Sequence, residues 1–277
     1  MTNGNFGTAS RPSTGTLARF DATRRKPENG SAASSASGAE ALVQAFNSWA
    51  FKREQPDSAE KLRRLALHAV EARAPLGFVL YWGRGPRDDI GAPERRCLEF
   101  LAALARRVEA RHALGAEVTL ICTDTHAGLN GYPPLATRRY FAQVTAAAAL
   151  HGFRTCFLSD LVRWAEDRID EARALDAPSQ ETLDALTGSA AKWYRGGGSI
   201  EDGARRYFSA NMIERQAVEA AFPNAVFVTF NGSAQRPLFP ENMPIFYMYS
   251  VRRGVAVKPW FMTEEDPCGE PRREAVP

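Results

Sequence analysis

Apolar residues recur along this chain with two different periods. Between residues 39 and 73 they return every three or four positions, in AEALVQAFNSWAF and again in DSAEKLRRLALHAVEAR. That spacing lines one helical face and predicts two amphipathic helices, with Asp57 or Ser58 capping the second. After Pro75 the segment PLGFVLYW is apolar without a break. A short unbroken run of this kind predicts a strand buried on both faces. EVTLICTD and RTCFLSDLV repeat the signal further on. Between these runs lie two stretches with helical period, ERRCLEFLAALARRVEARHALG, stopped by Gly115, and RRYFAQVTAAAALHG. Strand, helix, strand, helix, strand with short links predicts parallel crossover units. Residues 76–82, 117–123 and 154–159 are therefore expected as neighbouring strands of one mainly parallel sheet.

Residues 162–222 read as mainly helical, broken at KWYRGGG and restarted at Ser199, whose spacing to Asp202 resembles a capping box. NAVFVTF and MPIFYMYSVRRGVAVKPWF, rich in aromatic and β-branched residues, predict two further strands. The expected class is α/β, a Rossmann-like, mainly parallel sheet flanked by helices. The ends lack this patterning. Residues 1–38 are dominated by Gly, Ser, Thr, Asn and Pro, with too few apolar groups to offset the entropy of ordering. They are expected to form a disordered tail, residues 39–262 a single catalytic domain, and residues 263–277 a frayed terminus.

Composition changes this picture little. With 277 residues, 44% of them hydrophobic, the chain can bury a sizeable core. A net charge of +3 neither demands nor excludes a polyanionic partner. Cys97, Cys122, Cys156 and Cys268 are scattered and show no metal-ligand spacing, which suits a reduced, cytoplasmic protein. No stretch approaches the roughly 18 apolar residues of a membrane span, and the N-terminal region lacks the apolar segment of a signal peptide.

In open parallel sheets, ligands bind outside the carboxyl ends of the strands. Two loops follow such ends. WGRGPRDD sets Trp82, Arg84, Arg87 and Asp88 among glycines, and arginine forks beside exposed N–H groups suit a phosphate or carboxylate. It matches neither a Walker loop nor a dinucleotide fingerprint. TDTHAGLNG offers Asp124 as partner for an ammonium, His126 as acid–base group and Asn130 as amide donor. Asp-x-His also occurs in metal sites, but no third ligand stands at a diagnostic spacing, so neither metal nor cofactor is expected. Glu214, in ANMIERQAVEAAF, neighbours an apolar helical stripe of Ala210, Ile213, Ala217 and Ala221, so it either faces inward as a site residue or sits solvated at the stripe's edge. Asn231, Ser233 and Arg236 follow another strand end, and Lys258 precedes Pro259 as a candidate phosphate ligand.

In their order, PLGFVLYWGRGPRDD, ERRCLEFLAALARRV, GAEVTLICTD, NMIERQAVEAAFP and VAVKPWF resemble the pyoverdine/dityrosine-type isocyanide synthases over roughly residues 60–262. The resemblance implies a Rossmann-like enzyme converting the amine of an aromatic amino acid to an isonitrile, with ribulose 5-phosphate as carbon source. It implies an amino-acid site near Asp124 and a sugar-phosphate site near Arg84, Arg87 and Lys258. The chain is also similar, in size and in TDTH and NMPIFYMYSVRR, to the tRNA-dependent cyclodipeptide synthases. Under that reading Arg95, Arg96, Arg106, Arg107 and Arg111 on one helix face a tRNA backbone. A non-catalytic binding module is the third reading.

Overall fold

A computed structural model of the chain describes residues 31–172, 177–252 and 255–261. Five parallel strands form its centre: β1 (Leu76–Trp82), β2 (Ala116–Cys122), β3 (Arg154–Phe157), β4 (Ala225–Thr229) and β5 (Ile245–Tyr247), in the order β3-β2-β1-β4-β5. The three expected strands are adjacent and parallel, with Leu80 beside Leu120 and Ile121 beside Cys156. The order reverses between β1 and β4, the kind of point at which open parallel sheets bind ligands beyond the strands' carboxyl ends.

Successive side chains on each strand face opposite ways, so each strand feeds two cores. Phe78, Leu80 and Trp82 of β1 pack with residues of α1 (Ser31–Phe46), α2 (Ala59–Ala72), α3 (Ala92–Glu109) and α5 (Pro134–Ala149). Val79 faces the other way, toward residues of α6 (Leu158–Trp164), α7 (Gln180–Trp193) and α8 (Ile200–Ala221). This double covering explains the unbroken apolar runs. Neither face of the central strands meets water, and each fully buried large side chain contributes roughly 1.5–3 kcal/mol.

Several boundaries differ from expectation, each for a local reason. Residues 31–38 are helical and open α1, so the patternless N-terminal segment is at least eight residues shorter than read; its remainder, residues 1–30, lies outside the described residues. Alanine supplies most of that turn's propensity, and Ala39, Leu42, Val43 and Phe46 bury the helix against the sheet. Ser58, not Asp57, caps α2 by accepting from Lys61 N at 3.1 Å; Asp57 instead accepts from Ile245 N. α3 ends at Glu109, and the chain reaches Gly115, at φ +67°, through a turn fixed by His112 Nε2 2.7 Å from the Ala74 carbonyl. β3 stops at Phe157 because α6 begins at once. Residues 124–129, expected as loop, form a short helix, α4 (Asp124–Leu129). NAVFVTF forms β4 as expected, while the last segment gives β5 and a small antiparallel pair, β6 (Ser250–Arg252) with β7 (Val255–Val257), in place of one strand. The expectation for residues 263–277 lies outside the described residues. Among the described residues no helix is long and apolar enough to cross a membrane.

Candidate active site

Beyond the end of β2, α4 turns His126 inward, where it is 6% exposed. Glu214, on the middle of α8 and 3% exposed, meets it there. His126 Nε2 lies 2.6 Å from Glu214 Oε2, and Thr125 Oγ1 donates to Glu214 Oε1 at 2.5 Å. Burial raises the Glu214 pKa, but the positive charge of His126 when it is protonated and the hydrogen bonds from His126 and Thr125 outweigh it, so the carboxyl ends below its ordinary value. Two tyrosines close the rear. The Tyr207 hydroxyl is 3.4 Å from His126 Nδ1, and the Tyr81 ring meets the imidazole edge-on at 5.6 Å.

Glu214 and Thr125 also line an open cleft of about 620 Å³. Its apolar wall is Leu129, Val162, Ala210 and Ile213, and Arg206 stands two helical turns from Glu214 along α8. Arg206 and Tyr194 are hydrogen-bonded to each other, and both engage the Gly197 carbonyl, which fixes the glycine run at the rim. The cleft thus joins a buried carboxylate–imidazole pair to an exposed guanidinium across apolar surface.

The other candidate residues fall elsewhere. Asp124 and His126 do not converge, because α4 turns them to different neighbours. Asp124 accepts from Ser159 N at 3.1 Å and from Ser159 Oγ at 2.5 Å, which caps α6 and pins it to α4. Asn130 closes α4, its Nδ2 donating to the His126 carbonyl at 2.9 Å, and its own carbonyl accepts from Arg195 N. Both residues therefore brace α4, the short helix that carries His126.

Arg84 is already paired. Its Nε stands 2.6 Å from Oε1 of Glu94, a carboxylate 1% exposed, though the N–H does not point at that oxygen and charge holds the contact. Glu94 also accepts from Gly91 N at 2.9 Å. Arg87 is half-exposed and 3.9 Å from the same carboxylate, and Asp88 is exposed, its carbonyl accepting from Gln143. Trp82 is fully buried, its Nε1 donating to Tyr140 Oη at 3.1 Å, so it belongs to the core rather than to a ligand wall.

At the strand-order reversal, Lys258 Nζ donates to Asn231 Oδ1 at 2.8 Å. Arg236 is spent on Asp57 Oδ2 and on the carbonyls of Phe239 and Glu241, and Ser233 N donates to Glu54. The structure therefore separates the candidates into three places: the His126–Glu214 pair, the Arg84–Glu94 pair and the Lys258–Asn231 pair. Among the described residues no three His, Cys, Asp or Glu side chains gather as metal ligands.

The fold has a known counterpart. It matches the crystal structure of the PvcA protein from Pseudomonas aeruginosa with a TM-score of 0.57 and 17% identity, over 80% of this chain and 87% of that one. Tyrosyl-tRNA synthetase from Archaeoglobus fulgidus, complexed with L-tyrosine, aligns over 74% of this chain and 63% of its own length, with a TM-score of 0.43 and 12% identity. The Pyrococcus horikoshii enzyme aligns over 80% and 58%, with a TM-score of 0.41 and 13% identity. No family model and no curated protein sequence matches the chain. At these identities the PvcA protein establishes a shared fold.

Four residues of the site escaped the sequence reading: Thr125, Tyr81, Tyr207 and Arg206. A signal existed for two of them. Tyr207, Asn211, Glu214 and Val218 follow a spacing of four, three and four, one stripe of α8. Tyr81 precedes Trp82 and so must face the opposite side of the sheet. The Tyr81 hydroxyl is buried without a hydrogen-bond partner. Burial first, then the charges of Glu214 and Tyr207, hold it as a neutral phenol with a pKa well above the usual range. An unsatisfied buried hydroxyl costs about 1–3 kcal/mol. Tyr81→Phe should therefore raise stability by about 1 kcal/mol in denaturant unfolding; a loss of stability would show that the hydroxyl has a partner in the folded chain.

Proposed function

We propose that this chain is a biosynthetic enzyme that acts on the amino group of an amino acid in the manner of an isocyanide synthase, with ribulose 5-phosphate as carbon donor. The observation that carries the reading is the buried His126–Glu214 pair at the wall of the cleft. The fold shared with PvcA and the motif order of the chain support it. An amino acid arrives as an ammonium, which is not nucleophilic. It needs a counter-charge to hold it and a base to take its proton. Glu214 supplies the counter-charge: each oxygen accepts one hydrogen bond from the protein and keeps a lone pair for the ligand. His126, hydrogen-bonded to that carboxylate, receives the released proton. Asp124, spent on Ser159, positions α4 rather than holding the amine. The apolar wall of Leu129, Val162 and Ile213 suits a hydrophobic side chain.

The test is incubation of the full chain with each amino acid, with and without ribulose 5-phosphate, followed by untargeted mass spectrometry. The expected result is consumption of one amino acid only when the sugar phosphate is present. Consumption that requires charged tRNA instead would replace this reading with aminoacyl transfer.

A further inference from the structure

The cleft that Glu214 lines has a second charged end that the His126–Glu214 pair does not use. Arg206 stands on the same face of α8, with Ala210 and Ile213 between the two charges, and all four line the cleft. Neutral groups hold its guanidinium. Nε donates to the Asp202 carbonyl, and Nη2 donates to the Tyr194 hydroxyl and to the Gly197 carbonyl. The Asp202 carboxylate is taken by the Ser199 hydroxyl, which donates to it at 2.6 Å. Among the described residues no carboxylate stands within ion-pair distance of Arg206, and its Nη1 has no acceptor. Tyr194 is clamped in turn. A side chain at Gly196 or at Gly203 would begin 2.8 Å from its ring, so the ring needs glycine on both sides to lie where it does. The guanidinium is thus fixed at the rim with part of its fork unspent.

We propose that Arg206 is a carboxylate-binding subsite and that the cleft takes a short ω-amino acid, its amine at Glu214 and its carboxylate at Arg206. This rests on the reading of Glu214 as the counter-charge of the amine. The spacing decides the ligand. Residues 206 and 214 are eight apart on one helix, a rise of about 12 Å. Helical side chains lean toward the N-terminus, as the bond from Arg206 back to Asp202 shows, so the two charged groups keep about that separation. Two charge-assisted contacts of about 2.8 Å then leave about 6 Å between the ligand's nitrogen and its carboxylate oxygens, the span of a chain of roughly four to five carbons. In an α-amino acid both groups sit on one carbon, too close together to reach both ends. The wall between the charges, Leu129, Val162, Ala210 and Ile213, offers no polar side chain, so an amide in the spacer would find no partner there and a methylene chain fits. That chain, rather than the free end of a side chain, covers the apolar surface.

Calorimetric titration of the full chain tests this without turnover. The probes are 4-aminobutanoate, 5-aminopentanoate and 8-aminooctanoate, with pentylamine and pentanoate as single-charge controls and leucine as an α-amino acid. Two-point binding should peak at the four- and five-carbon acids, and each control should bind about ten- to a hundredfold more weakly. Arg206→Gln should bring 5-aminopentanoate down to the affinity of pentylamine and leave pentylamine unchanged. No binding of the ω-amino acids, affinity that climbs with every added methylene, or leucine bound as tightly as 5-aminopentanoate would overturn the proposal. These comparisons use the unsubstituted chain, so they decide the matter even if the variant misfolds. The two readings fail separately. Leucine bound and consumed with ribulose 5-phosphate would reject the subsite and keep the reaction, whereas 5-aminopentanoate bound through Arg206 but never consumed would reject the reaction and keep the subsite.

Discussion

Glu214→Gln is expected to abolish turnover of the proposed amine substrate and to lower the stability of the chain by roughly 1–3 kcal/mol. The stability loss follows from hydrogen-bond direction. Thr125 Oγ1 and the imidazole Nε2 both present donors to the carboxylate. An amide accepts one and opposes the other with its own N–H₂, leaving a buried donor unsatisfied. At about 2–4 °C per kcal/mol, the midpoint of thermal unfolding should fall by about 6 °C. The pH dependence carries the sign of a depressed carboxyl. Its stabilisation is full above the pKa of an unfolded glutamate and is lost as pH falls through the lower folded value. Denaturant unfolding across the acid range should therefore show the two proteins converging as pH falls below the ordinary glutamate pKa. A constant gap down to the lowest pH would mean that Glu214 acts by shape alone. His126→Ala separates catalysis from packing at the same pair: loss of proton transfer lowers kcat by about 10²–10⁴, more than it raises KM. A folded Glu214→Gln protein with normal turnover would remove the pair from the chemistry.

How far the sequence revealed this arrangement depends on the range of the forces involved. β1, β2 and β3 were legible because burial on both faces leaves a local mark, a run of apolar residues with no polar alternation. The strand-end position of Asp124 and His126 was legible for the same reason. Their mutual geometry was not. It depends on whether the backbone after Thr123 extends or coils, and contacts distant in sequence decide that. Ser159, 35 residues on, takes Asp124, while Glu214, 88 residues on, takes His126. Glu214 could be read as facing inward from its helical stripe, but its partner could not, since nothing in a sequence pairs one buried charge with another. The same blindness affected Arg84, an arginine in a glycine-rich loop whose neutralising carboxylate lies one turn into the next helix.

That pairing makes a large and opposite prediction for the loop after β1. If Arg84 served only an anionic ligand, its replacement would weaken binding and spare the fold. The structure instead gives it a structural task, with Glu94 as a buried carboxylate 2.6 Å away. Arg84→Met should therefore leave a buried carboxylate held by the Gly91 N–H, a long contact to the Tyr140 hydroxyl at 3.5 Å and the distant Arg87 at 3.9 Å. Removing one member of a buried pair costs roughly 3–5 kcal/mol, so denaturant unfolding should shift by that amount. Arg87→Met is the internal control: Arg87 is half-exposed and 3.9 Å from the same carboxylate, where an ion pair is worth at most about 1 kcal/mol. The double variant Arg84→Met, Glu94→Leu removes both charges and should recover most of the loss, because burying neither charge is cheaper than burying one. If Arg84→Met unfolds at the wild-type midpoint, its guanidinium is not needed by Glu94 and is free for a ligand. If the double variant is no more stable than Arg84→Met, the loss comes from packing around the loop rather than from an orphaned charge.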